Sequence, residues 1–187
     1  MQLLALMGIF LFSGAITAMP ASASAPTVPA LPEYSVTLTG YNAVPDQTSD
    51  HPFVTASGAY SNPEVVAARS RDLADQLPFG TIIEIKSPPD SQDDCGYNVV
   101  APIIGYRVIA DTMNARYADR IDVLFSTKSN YIMADGDTKN ASAILGVCDS
   151  VAIQVVGHID LAHSDQLPKT QAELAAIVNG TTLAINK

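Results

Sequence analysis

Positive charge is scarce in this chain of 187 residues, where ten Lys and Arg stand against nineteen Asp and Glu for a net charge of -9. Nucleic acids and anionic membrane surfaces need a positive patch that displaces counterions, so neither is expected as a partner. Cysteine is scarcer still: Cys95 and Cys148 are the only two, too few for a small scaffold held together by disulfides. The glycines are scattered singly and no lysine follows one in the setting of a phosphate-binding loop. Long apolar runs are missing as well. The longest, Leu3 to Ala15 or Ile16, is about a dozen residues, short of the roughly 20 that span a bilayer.

That first run is informative in another way. MQLLALMGIFLFSGAITAMPASASAP is an uncharged apolar stretch followed by small residues, with Ala21-Ser22-Ala23 and Ala23-Ser24-Ala25 both fitting a small-x-small cleavage site. Residues 1–25 are expected to be a secretory signal peptide, and the absence of cysteine at the cleavage sites argues against a lipid anchor. The mature protein is then secreted or periplasmic, with no stable membrane insertion. In such a compartment Cys95 and Cys148 are expected to form one disulfide, the alternative being a Cys148/His158 nucleophilic pair. Oligomeric state is not legible.

Residues 26–33, PTVPALPE, form a proline-rich linker, and every charged side chain lies beyond Pro32. The domain is expected over 34–160. YSVTLTGYN, TIIEIK, YNVVAPII, GYRVIAD, RIDVLF and SVAIQVVGHI all read as short strands, rich in β-branched residues and divided by Gly, Pro and Asp turns. Residues 64–77 read either as a helix or as a short VVAA strand leading into a helical turn over 71–76. This pattern indicates a small closed β-barrel or a sandwich. The extension 161–187 differs: Thr170 and Glu173 fit a capping box, Leu174, Ile177 and Val178 follow helical spacing, and Gly180 suits the end of the helix.

Two groups of residues invite a chemical reading. His158, Asp160 and His163 fit neither a helical nor a zinc-finger ligand spacing, and no metal or cofactor is expected. Asp111, at the end of YRVIA, and Asp122, inside RIDVLF, are more suggestive. Alternation sends Ile121 and Val123 to one face and Asp122 to the other, and a carboxylate in an apolar strand is costly unless paired or placed in a cleft. On neighbouring strands the two would face each other and push one pKa upward, making a general acid. The alternative is an ion pair of Asp122 with Arg116 or Arg120 on a solvated face.

Five segments in order resemble a known family. TGYN at 39–42, VPDQT with PFVTASG at 52–58, SRDL with LPFGTIIEI, IADTMNARYADRIDVLF and SVAIQVV are similar to the 3D domains, named for three aspartates. That family shares a six-stranded double-psi β-barrel with the catalytic domain of membrane-bound lytic transglycosylase A. The likeness covers roughly residues 35–157. It departs at Asp111-Thr112-Met113-Asn114, where common members carry D-T-G, and in the longer connection 87–106.

The resemblance implies a mainly β, double-psi barrel with short helices, whose substrate is the glycan strands of peptidoglycan. It implies cleavage of the β-1,4 bond between N-acetylmuramic acid and N-acetylglucosamine without water, leaving a 1,6-anhydromuramyl end. Asp122 would be the acid and then the base, Asp111 would raise its pKa or steady the oxocarbenium charge, and Asp72 would orient the loop. Tyr41, Thr55, Thr112, Asn114 and Arg116 would contact substrate, Arg116 with Arg120 holding carboxylates of the stem peptide or else neutralising Asp119. The competing expectations are a wall-binding module without activity, and a hydrolase of another β-1,4 glycan.

Overall fold

In the computed structural model, residues 30–88, 94–162 and 167–185 are described, 181–185 by backbone alone. The segment expected to be a signal peptide, residues 26–29 of the expected linker and His163 lie outside the described residues.

Eight strands and three helices follow in the order β1 (Glu33–Asn42), β2 (Val66–Arg69), β3 (Thr81–Ile85), α1 (Tyr97–Ile104), β4 (Tyr106–Thr112), β5 (Arg120–Phe125), β6 (Asn130–Ile132), β7 (Thr138–Asn140), α2 (Ala141–Leu145), β8 (Cys148–His158) and α3 (Gln171–Ile185). Six of the strands close a barrel in the order β1-β5-β2-β4-β3-β8. Two pairs, β1 with β5 and β2 with β4, are parallel, and the remaining four are antiparallel. A closed, mainly β, six-stranded barrel with this mixture is consistent with a double-psi barrel.

Period-two alternation divides the strand side chains between two apolar clusters. Leu38, Ala67, Ile83, Ile109, Ile121, Val123 and Ile153 belong to one, which α1 and α2 extend through Tyr97, Val100, Ile104, Ala141 and Leu145. Tyr41, Ala68, Ile82, Val108, Ala110 and Leu124 belong to the other, which Leu174 and Val178 of α3 cover. Gly40 is required by this packing, since a Cβ there would lie 2.7 Å from the Phe125 ring.

Three segments differ from their sequence-based reading. YNVVAPII is not a strand but the helix α1, with Pro102 inside it. Its β-branched content favours a strand, but Tyr97, Val100 and Ile104 are buried while Val99 and Ile103 are exposed, the spacing of a helix packed on one side. Residues 64–77 resolve into strand β2 and a single 3₁₀ turn, Arg71–Leu73. Gly180 does not end α3, which continues to Ile185. The start of α3 follows the capping expectation in part: Thr170 Oγ1 accepts from Glu173 N at 3.2 Å, while the Glu173 carboxylate reaches Lys169 N at 2.7 Å.

Cys95 and Cys148 form a disulfide, which removes Cys148 as a nucleophile and ties the segment before α1 to the start of β8. Arg107 on β4 is fully buried. Its guanidinium donates to the carbonyls of Ile103, Ile104, Pro63 and Leu124, satisfying the orphan end of α1. Burial brings its pKa down to about 9, so it remains a cation at neutral pH.

Candidate active site

The parallel pairing of β1 with β5 sets Thr39 opposite Asp122, and the antiparallel pairing of β2 with β5 sets Ala68 opposite the same aspartate. On the other side of β2, Ala67 pairs with Ile109 but Ala68 pairs with Asp111. A bulge at Ala110 has skipped one residue. Bulges re-aim side chains by one position, and here the shift puts Asp111 in register with Ala68 and so on the face that Asp122 occupies. The two strands are not neighbours, as the acid-pair reading assumed. One strand separates them, so their backbones are roughly 9–10 Å apart.

Both aspartates line a cleft of about 830 Å³. Tyr41, Thr55, Thr112, Asn114 and Arg116 line it too, which places seven of the eight residues expected from sequence in one cavity. The eighth, Asp72, sits outside. It is exposed on the 3₁₀ turn and accepts from the backbone amide of Asp119 at 2.9 Å, a bond that is the main cause of its lowered pKa. Asp119 has a positive φ of 49°, so Asp72 fixes the left-handed turn that ends the loop carrying Asn114 and Arg116.

The two cleft aspartates are held differently. Asp111 accepts three hydrogen bonds: Ala56 N at 2.9 Å and Thr112 N at 2.8 Å on Oδ1, and the Tyr41 hydroxyl at 3.0 Å on Oδ2. Asp122 accepts one, from Thr39 Oγ1 to its Oδ1 at 2.9 Å, and among the described residues its Oδ2 has no protein partner. Burial raises the Asp122 pKa to about 6, while Thr39 and the charge of Arg120 pull the other way and Asp111 adds the smallest contribution. Desolvation, far more than the second carboxylate, is therefore what raises the Asp122 pKa. Burial and the Asp111 charge also lift the Tyr41 hydroxyl well above its ordinary value, so Tyr41 is a neutral donor.

The remaining lining is polar. Gln47 is set by accepting from Asn42 N at 2.8 Å, and Asp46, Thr48 and Ser49 complete that wall. Thr55 is buried and spends its hydroxyl on Ala59 O at 3.0 Å and on Ser57. Tyr117, also in the lining, carries the guanidinium groups of Arg116 and Arg120, each 4.7 Å from its ring centre. Arg116 also donates to the Tyr117 hydroxyl at 2.7 Å. No ion pair joins either arginine to Asp119 or Asp122 among the described residues.

No protein-family model matches the chain, and no curated protein matches it either.

Sequence reasoning missed Thr39, Ala68 and Tyr117. Thr39 was detectable, because it lies two residues before Tyr41 on one strand and so shares its face. Tyr117 sits between two arginines on the connection from β4 to β5. Nothing marks Ala68, whose importance is its smallness between two carboxylates.

Chemically, the cleft combines a protonatable carboxyl with one oxygen unbonded among the described residues, a carboxylate fixed by three hydrogen bonds, and a hydroxyl-rich wall. Such a set can donate a proton to a leaving oxygen and accept one back.

Proposed function

We propose that the protein is a secreted or periplasmic lytic transglycosylase of peptidoglycan, with Asp122 as acid and base. The observation that carries this reading is the placement of Asp122: a carboxyl desolvated enough to titrate near 6, yet lining a large polar cleft with one oxygen unclaimed. In the forward step its proton passes to the glycosidic oxygen as the bond to muramyl C1 breaks. The muramyl C6 hydroxyl then closes onto C1 and gives its proton to the Asp122 carboxylate, which restores the acid. One carboxyl serves both steps because the nucleophile belongs to the substrate, unlike the two-carboxylate hydrolases.

Asp111 supports this reading as a stabiliser of positive charge at C1, not as a second base, since three donors already occupy it. Tyr41 and Thr39 orient the two carboxyls. Arg116 lines the cleft with no acid partner among the described residues and suits carboxylates of the stem peptide. The disulfide favours an oxidising compartment.

The test is product analysis on purified sacculi. Release of 1,6-anhydromuropeptides, abolished by Asp122→Asn with sacculus binding retained, is the expected outcome. Ordinary reducing ends would instead mark a hydrolase, and pelleting without release a binding module.

A further inference from the structure

Two aromatic rings stand in solvent beside the cleft and take no part in the chemistry above. Phe53 and Tyr60 are each 59% exposed, with ring planes 12° from parallel and centres 6.5 Å apart. Val54, also exposed, is bridged to Tyr60 and lines the cleft. Single exposed apolar residues are ordinary, whereas three on one short hairpin at the mouth of a cavity mark an interaction site.

The hairpin that carries them is fixed to the candidate acid site. Thr55 N donates to Ala59 O at 2.9 Å and Ser61 N to Phe53 O at 3.0 Å, closing the hairpin, and Ser57 N donates to the bulged Ala110 O at 3.0 Å. Ala56 N donates to Asp111 itself. The rings thus hold a set position relative to Asp111, and a ligand stacking on them has little ordering cost to overcome.

We propose that Phe53 and Tyr60 form a stacking platform for a pyranose ring of the glycan strand, beyond the sugars whose bond is cleaved. The proposal rests on the glycan reading of the cleft. A pyranose offers an apolar C–H face to an aromatic ring and a rim of hydroxyls to its surroundings. The exposed rings match the first, and the adjoining wall of Gln47, Thr48 and Ser49 matches the second. A lipid or an amphipathic helix calls for a continuous apolar groove, which the polar wall interrupts, and a polyanion is disfavoured by the net charge of -9.

The test compares Phe53→Ala/Tyr60→Ala with the aromatic exchanges Phe53→Tyr and Tyr60→Phe in the mature protein. Binding is measured by pelleting with sacculi and by titration with glycan strands stripped of peptide by an amidase, and the melting temperature of each variant is recorded. The double alanine variant is expected to melt normally, because both rings are exposed, and to bind strands about tenfold more weakly. It should raise KM with little change in kcat, and the aromatic exchanges should keep wild-type affinity. Unchanged strand affinity in the double alanine variant, or aromatic exchanges as weak as alanine, overturns the platform. If that variant binds normally while wild-type protein releases anhydro products, the platform fails and the cleavage reading stands. Weakened binding in a protein that releases no products sinks the cleavage reading and keeps the platform.

Discussion

Asp111 and Asp122 stand on opposite sides of Ala68, each paired in register with it across a different edge of β2. The space between the two carboxyls is therefore set by a methyl group. Ala68→Val adds two carbons to a residue that is 3% exposed and lines the cleft. The expected cost in stability is about 1–3 kcal/mol from overpacking. The loss of product release should be far larger, on the order of 100-fold, because small misplacements at a reacting centre are costly. Ala68→Gly should keep most activity. A melting curve alongside product release separates the two effects, and wild-type turnover by Ala68→Val would remove this space from the mechanism.

The raised pKa of Asp122 has a definite sign for stability. An unfolded aspartate titrates near 3.9, and the folded one at about 6, so the folded state holds this proton more tightly. Its stabilising contribution is complete below about pH 4 and is lost as pH rises through 6. Asp122→Asn, which keeps the shape without the charge, should match wild type at pH 3.5 and exceed it at pH 8 by on the order of 2–3 kcal/mol. Denaturant melts at the two pH values measure this. Activity should fall about tenfold per pH unit above 6 as the acid form is depleted, and a gain in wild-type stability between pH 4 and 7 traceable to Asp122 would contradict the assignment.

The strands were legible because β-branched residues alternate in them, and Asp122 stood out as the one carboxyl between Ile121 and Val123. The cleft was legible as a set of residues but not as a geometry. Strand order is invisible to local pattern, so β2 between β4 and β5 could not be seen, and neither could the bulge at Ala110 that turns Asp111 toward Asp122. The helix α1 was misread for a different reason: Val and Ile favour strands, and tertiary contacts overrode that preference by burying Val100 and Ile104 and capping the helix end with Arg107. The hairpin of β6 and β7 was not legible, since its three-residue strands are too short to carry an apolar alternation.

Asp72 supports the site from outside the cleft, and its removal should leave a different signature from the loss of Asp122. Asp72→Ala deprives the Asp119 amide of its acceptor. Because Asp72 is exposed, the expected stability loss is about 1 kcal/mol or less. Amide exchange at Asp119 should quicken, and KM should rise more than kcat falls, because Asn114, Arg116 and Tyr117 lie on the loop it secures. The Asp72 carboxyl is held below its ordinary range, so this support is present above about pH 4 and fades as the solution is acidified through the folded value. Exchange at Asp119 that ignores both the substitution and the acidification would show that the turn holds without Asp72.

The disulfide should affect stability and leave chemistry alone. Cys95 and Cys148 are 53 residues apart, and closing a loop of that length restricts the unfolded chain by about 4 kcal/mol. The bond lies beside α1 and α2, and neither cysteine lines the cleft that holds Asp111 and Asp122. Reduction, or Cys95→Ala/Cys148→Ala, is expected to lower the melting temperature by about 10 °C. Below that temperature the product spectrum and kcat should match the oxidised protein. A reduced protein that stays folded yet loses turnover would mean that the bridge transmits to the cleft, through the register of β8 against β1, an influence the hydrogen bonds of the site do not suggest.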